Sequence, residues 1–181
     1  MAGVEFRRHD GEEARALLDE LSEVFVEVYA EPPYYSGEED LRIFQERFAG
    51  QTRQQGFSLV TARSDGTLVG FVFGFTLSPT TQWWSDPLTP VATSITEERP
   101  GRTFAVIEMV VRSPWRRRGV GRGMHDLLLK DRREERATLT VLPAAEAAQA
   151  AYARWGWHKV TQTINPLPGD PVYDVLLKPL S

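Results

Sequence analysis

Residues 103–112, TFAVIEMVVR, are the most apolar run in the chain, and a basic, glycine-spaced turn, SPWRRRGVGRG (113–123), follows at once. An uninterrupted apolar run of this kind reads as a central strand covered on both faces. The residues after the turn carry Val120, Met124, Leu127 and Leu128 at helical spacing, which predicts a helix from about 120 to 136. Strand, basic turn and amphipathic helix in succession constrain the chain to an α/β architecture.

The flanking segments fit that frame. VEFRR (4–8) alternates like a short strand. Asp10 with Glu13 makes a capping-box start for a helix over about 11–29, with Leu17, Leu18, Leu21, Val24, Phe25 and Val28 on one stripe. Paired prolines in EPPYYSG (31–37) end it, and a second helix is expected over 38–49 with Leu41, Phe44 and Phe48 inward. Residues 57–77 read as a hairpin turning at Asp65-Gly66. An irregular stretch rich in Pro, Thr and Trp spans 78–102, long enough to suggest a functional loop. Beyond the 120–136 helix, ATLTVL (137–142) reads as a strand and 144–155 as a helix closed by Gly156. Residues 157–163 and 172–178 read as final strands. The charge run KDRREER (130–136) is expected to be a solvated helix end with i,i+4 pairs. The expected fold is one α/β (α+β) domain over 1–181, a mixed sheet of about six to seven strands flanked by about four helices.

Residues 116–123, RRRGVGRG, lie between a buried strand and a helix start. The first amides of a helix lack intrahelical partners, and the dipole puts positive charge at the same end, so anions bind there. Gly119 and Gly121 permit a tight turn and close approach. Arg116, Arg117, Arg118 and Arg122 add permanently charged donors. A pyrophosphate suits this arrangement; solvated arginines on a plain strand-to-helix turn fit the residues equally well. A Walker loop is excluded, because no Lys-Ser or Lys-Thr pair follows a glycine. The dinucleotide fingerprint is excluded too, because Met124 stands where its third glycine belongs. The remaining pattern is R-x-x-G-x-G.

Composition narrows the field. A net charge of −4 argues against a general nucleic-acid binder, so the arginines are a local feature. With no cysteine, a disulfide framework, a thiolate metal site and a cysteine nucleophile are excluded. His9, His125 and His158 lack metal-ligand spacing, so no metal is expected. No apolar run approaches the roughly 18 residues of a membrane span. The opening MAGVEFRRHDGEE has no apolar leader segment, so the cytoplasm is the expected location.

EMVVRSPWRRRGVGRGMHDLLL (108–129) resembles the acetyl-coenzyme A motif of the GCN5-related N-acetyltransferase (GNAT) superfamily, and YARWGWHKV (152–160) resembles that family's second signature. The order of elements agrees from about 4 to 178. The resemblance implies acetyl-CoA as co-substrate. It implies that the backbone around Arg117, Arg118, Gly119, Val120, Gly121 and Arg122, with Arg116 beside it, binds the diphosphate. Main-chain groups of Met109, Val110 and Val111 would pair with the pantetheine arm. Tyr152 would return a proton to the departing thiolate; the alternative is a core tyrosine on the Ala148, Ala151, Trp155 stripe. The family's frequent asparagine seven residues before that tyrosine is Ala145 here.

Acetyl transfer to an amine needs a proton acceptor. Glu108, alone among apolar neighbours, is the candidate, since burial would raise its pKa; a structural glutamate held by an arginine is the competing reading. Without cysteine, transfer runs directly within a ternary complex. Tyr29, Tyr34, Tyr35, Trp83 and Trp84 could wall an aromatic acceptor pocket, with Glu31, Glu38, Glu39 and Asp40 drawing a cation, or they could simply pack loops and face solvent. The function expected is N-acetylation of a small, cationic primary amine. A non-catalytic acyl-CoA-binding module and an enzyme acting on peptide or protein amines are the alternatives. No nucleic-acid or membrane partner is expected, and the chain could pair as a homodimer.

Overall fold

The structure, a computed structural model, describes residues 3–164 and 171–181. In chain order its elements are β1 (Val4–His9), α1 (Gly11–Ala16), α2 (Leu18–Tyr29), α3 (Glu38–Gln51), β2 (Ser58–Ser64), β3 (Thr67–Thr76), α4 (Thr93–Thr96), β4 (Thr103–Val111), a 3₁₀ turn (Ser113–Trp115), α5 (Val120–Leu129), β5 (Arg136–Val141), α6 (Glu146–Arg154), β6 (His158–Ile164) and β7 (Val172–Pro179). The strands are hydrogen-bonded in the order β1-β2-β3-β4-β5-β7-β6. β4 and β5 are parallel, and β1–β2, β2–β3, β5–β7 and β6–β7 are antiparallel. The result is the mixed α/β sheet expected. Two compact units divide the chain: Met1–Phe75 with Val106–Arg132, and Thr76–Ala105 with Arg133–Ser181.

In the first unit, β2 and β3 turn at Asp65 (φ 48°) and Gly66 (φ 79°). Positive φ at both central residues is the type I′ geometry that matches strand twist, and Asp-Gly favours it. The α2 stripe buries Leu21, Val24, Phe25 and Val28, and α3 buries Phe44 and Phe48. They join Leu59, Leu68, Phe71, Phe73 and Val110 in one apolar cluster. Phe25 stacks on Phe44 at 4.5 Å, and Phe48 meets Phe73 edge-on at 5.4 Å. Burial of each such ring stabilises by about 1.5–3 kcal/mol.

Three helical expectations change. The single helix over 11–29 is two, broken at Leu17, whose amide bonds Ala14 at i−3 and tightens the turn. α5 stops at Leu129 rather than 136, because Asp131 is left-handed (φ 61°) and Arg8 of β1 takes the carbonyls of Leu127 and Lys130. KDRREER is therefore no solvated helix end. Arg132 bonds the Gly56 carbonyl at 3.0 Å, Glu134 is buried and accepts from Thr76 at 2.7 Å, Glu135 pairs with Arg99 and Arg102, and Arg136 opens β5. Long-range partners override a charge pattern that imitates a helix face.

In the second unit, β4 enters with Thr103, Phe104 and Ala105 registered on Arg136, Ala137 and Thr138 of β5. Trp84, Val175 and Leu177 form an apolar cluster with Trp83, Ile95 and Val160 packed against it. The 78–102 loop contains only the single turn α4. It is held instead by arginines: Arg102 donates to the carbonyls of Glu97 and Ser94, and Arg136 to that of Ile95 at 2.6 Å. Among the described residues, no helix is long and apolar enough to cross a membrane, and no cluster of His, Cys, Asp and Glu could hold a metal ion.

Candidate active site

In the first unit, β4 delivers the chain into the basic turn. The Arg112 amide still bonds Val69 of β3 at 2.8 Å. The 3₁₀ turn then reverses the chain, with Trp115 N bonding Arg112 O at 2.9 Å. Arg117 is left-handed at φ 61° and Gly119 at φ 80°. Such a conformation is costly for a residue with a Cβ, and it recurs where a backbone is shaped for a ligand. Gly119 is the N-cap of α5 and offers no side-chain acceptor. Its carbonyl takes the Gly123 amide at 2.9 Å, so the amides of Val120 and Gly121 precede the first helical bond. A ten-residue helix puts its positive end at the same point.

The arginines divide. Arg116 is turned away, its Nη1 on Glu31 at 2.8 Å and its Nε on the Val111 carbonyl at 2.9 Å. Arg122 pairs with Asp126 one helical turn on, at 2.9 Å. Arg117 and Arg118 are exposed. Met109 and Val111 are half-buried and Val110 is buried, all on β4 beyond the residues registered with β5.

Glu108 lies on the same strand and is half-buried. Tyr29, the last residue of α2, donates its hydroxyl to Glu108 Oε2 at 2.6 Å. Burial pushes the carboxyl up to about 7, while the Tyr29 bond and the charge of Arg47 act the other way. The group holding this glutamate is a phenol rather than an arginine.

The EPPYYSG loop folds back on Tyr29. Tyr34 and Tyr35 amides bond the Glu31 carbonyl, and the Ser36 amide returns to Tyr29 O at 2.8 Å. Tyr34 is half-buried and meets Tyr29 edge-on at 4.8 Å. Tyr35 is 72% exposed. Of the four acids expected to draw a cation, three already have partners: Glu31 with Arg116, Glu39 with Arg42, and Asp40 with the Gly37 amide. Glu38 is exposed.

The second unit holds the other candidates. Tyr152 on α6 is buried, with Trp155 and Trp157 edge-on at 5.8 and 5.9 Å. Gly156 (φ 90°) ends the helix, and the Trp157 amide bonds Tyr152 O at 3.0 Å. Ala145 is the N-cap of α6 and makes no side-chain bond there. Trp83 is half-buried and donates to Thr138 Oγ1 at 3.2 Å. Trp84 is buried; its indole N–H bonds Glu98 Oε1 at 3.1 Å, and the Arg136 guanidinium lies over its ring at 5.2 Å. Tyr34 and Tyr35 thus belong to one unit and Trp83 and Trp84 to the other.

Three relationships escape sequence reasoning. The Tyr29–Glu108 bond joins residues 79 apart; an aromatic residue closing an apolar stripe beside a lone acid in a strand is its only trace. The buried Glu98–Arg136 pair and the influence of Arg47 on Glu108 leave no local signal.

The comparisons agree with this geometry. The model of the acetyltransferase (GNAT) family matches residues 14–157. No curated protein sequence matches the chain. Among solved structures, the chain is similar to the ribosomal-protein-S18-alanine N-acetyltransferase of Escherichia coli, at TM-score 0.67 and 15% identity over 99% of this chain and 95% of that one. It is similar to a GNAT-family acetyltransferase of Staphylococcus aureus, at TM-score 0.67 and 14% identity over 99% and 100%. It is also similar to the PaiA N-acetyltransferase of Thermoplasma acidophilum, solved in complex with coenzyme A, at TM-score 0.59 and 12% identity over 98% and 99%. These identities speak to the fold. The family model spans most of the chain, and the protein belongs to the GNAT family of acetyltransferases.

Proposed function

We propose that the protein is an acetyl-CoA-dependent N-acetyltransferase that transfers acetyl directly to the primary amine of a small cationic molecule. The observation that carries this reading is the start of α5, where left-handed Arg117 and Gly119 turn the chain so that the amides of Val120 and Gly121 precede the first helical bond. These residues fit a diphosphate: backbone from Arg117 to Arg122 would hold it, with Arg117 and Arg118 supplying charge. Arg116 braces the turn through Val111 and Glu31. Main-chain groups of Met109, Val110 and Val111 would align the pantetheine arm. Acetyl-CoA supplies the activated thioester.

Glu108 takes the proton of the attacking amine. A carboxyl pushed up to about 7 is matched to that task near neutrality. The amine nitrogen bonds the acetyl carbon, the carbon–sulfur bond breaks, and Tyr152 gives its phenol proton to the leaving thiolate. Tyr34 and Tyr35 of the first unit are assigned to the acceptor; Trp83 of the second unit is assigned to it only by its place on the 78–102 loop. Trp84, buried under Arg136, contributes by fixing the loop that presents Trp83. With Glu31, Glu39 and Asp40 already partnered, the cation preference rests on the aromatic faces and Glu38.

The chain has no thiol of its own, so coenzyme A release can be followed with a thiol reagent without background. Small amines, peptides with free N-termini and lysine peptides are offered with acetyl-CoA. Thiol release with a small cationic amine, reduced about 100-fold or more in Glu108→Gln and Tyr152→Phe, supports the reading. Release with peptides alone moves the acceptor to proteins. Protection by acetyl-CoA against heat without any release makes the protein a binding module.

A further inference from the structure

We propose that Tyr29 is a positioning residue for Glu108: its hydroxyl pins one carboxylate oxygen and holds the group in the orientation that meets the acceptor amine. The inference rests on Glu108 being the proton acceptor of the proposed transfer.

The geometry supports a fixed donor. Tyr29 closes α2 directly after the turn that buries Phe25, and the two rings lie 4.7 Å apart. Tyr34 meets the Tyr29 ring edge-on at 4.8 Å. The Tyr29 carbonyl accepts from the Ser36 amide at 2.8 Å, so the loop after the helix locks the backbone from which the phenol projects. A phenol has two side-chain torsions, and two ring contacts restrict the room its hydroxyl has to move. At 2.6 Å the bond to Oε2 is at the short end for O–H···O, as expected of a charge-assisted contact. Among the described residues no donor to Oε1 is seen, which leaves that oxygen for the amine proton.

The bond also sets proton affinity. β3, TLVGFVFGFT, has no titratable side chain, and Glu108 is the only one on β4. The groups acting on Glu108 are Tyr29 from α2 and Arg47 from α3, both favouring the carboxylate against burial. Tyr29 contributes through a direct bond, Arg47 only through its field. Without the phenol, burial would leave the carboxyl protonated over more of the neutral range.

The test is a titration of protein carrying ¹³C-labelled glutamate, with the Glu108 carboxyl assigned by its loss in Glu108→Gln, alongside the pH profile of kcat/KM. Tyr29→Phe keeps the ring and removes the hydroxyl. The carboxyl midpoint is expected to rise by about one pH unit, and the acid limb of kcat/KM to rise with it. Uniform replacement of tyrosine by 3-fluorotyrosine, a stronger donor, is expected to move the midpoint the other way and serves if Tyr29→Phe fails to fold. A purely structural tyrosine would change stability and leave both midpoints in place, which overturns the inference. A carboxyl midpoint that moves while kcat/KM ignores it overturns Glu108 as proton acceptor, and the catalytic meaning of Tyr29 with it.

Discussion

Arg116, the first residue of the R-x-x-G-x-G turn, is held by Glu31, which lies 85 positions earlier, through a 2.8 Å contact between Nη1 and Oε2. The pair is 40% and 36% exposed, so its contribution is at most about 1 kcal/mol and is screened by salt. Glu31→Gln is expected to lower stability by about 0.5 kcal/mol at low ionic strength and by nothing measurable near 1 M salt. Because the Arg116 Nε bond to the Val111 carbonyl still braces the turn and the amides of α5 carry the proposed diphosphate site, acetyl-CoA affinity should fall less than about threefold in this variant. Urea unfolding at two salt concentrations, with a binding isotherm, checks both statements.

Gly119 is at φ 80°, and a Cβ there would meet nothing within 4 Å. The cost of Gly119→Ala is therefore backbone strain alone, about 1–2 kcal/mol. Gly101 is its control, with φ 72° and equally open surroundings. Gly101→Ala should lose similar stability and keep its affinity for acetyl-CoA. Gly119→Ala should lose stability and, by shifting the start of α5, roughly tenfold in affinity. Equal affinities in the two variants would detach the helix start from the cofactor.

Glu98 and Arg136 form a pair of 2% and 8% exposure at 3.0 Å. Glu98 Oε1 also accepts from Trp84 and Thr103, while Oε2 is buried with no hydrogen-bond partner among the described residues. Removing the arginine strands a buried carboxylate, so Arg136→Met is expected to cost about 3–5 kcal/mol. Adding Glu98→Gln, which keeps an acceptor for Trp84 and Thr103, should recover part of that loss. Thermal unfolding of the single and double variants measures the coupling.

The fold's pH dependence carries the signature of Glu108. Its carboxyl is raised in the folded chain to about 7 from an ordinary 4.5. Between these values the folded state binds more protons than the unfolded one, so this group makes stability fall as pH rises from about 4.5 to about 7 and level off above. The residue keeps a solvent-facing edge, so the loss is about 1–3 kcal/mol rather than the full shift. Glu108→Gln should remove that slope. Denaturant unfolding of the two proteins at pH 5 and pH 8 provides the comparison.

Much of this was legible in the residues. Alternation and an Asp-Gly pair located the β2–β3 hairpin, the apolar run located β4, and the periodicity of α2 and α3 found their buried faces, because each signal is local and tied to burial. The failures share a cause. Leu17 breaks a helix without breaking its apolar stripe. KDRREER has helical charge spacing, yet its partners lie at Gly56, Thr76 and Arg99, far away in sequence. The site divides the same way. The turn and Tyr152 are candidates read from motifs and Glu108 from its place as a lone acid in an apolar run, whereas the turning of Arg116 toward Glu31, the bond from Tyr29 and the burial of Trp84 depend on which distant residues tertiary packing brings together.

The central claim is that the start of α5 grips the diphosphate of acetyl-CoA. Calorimetric titration of the protein with acetyl-CoA, set beside S-acetylpantetheine, which carries the same thioester without the diphosphate and the 3′-phosphoadenosine beyond it, and beside 3′-phosphoadenosine without diphosphate, which measures the nucleotide's share, tests it most directly. The account expects saturable binding of acetyl-CoA and affinity at least 100-fold weaker for the truncated thioester, the loss expected when a diphosphate's charge-assisted bonds are removed. Equal affinities, or no heat with millimolar acetyl-CoA, would contradict it.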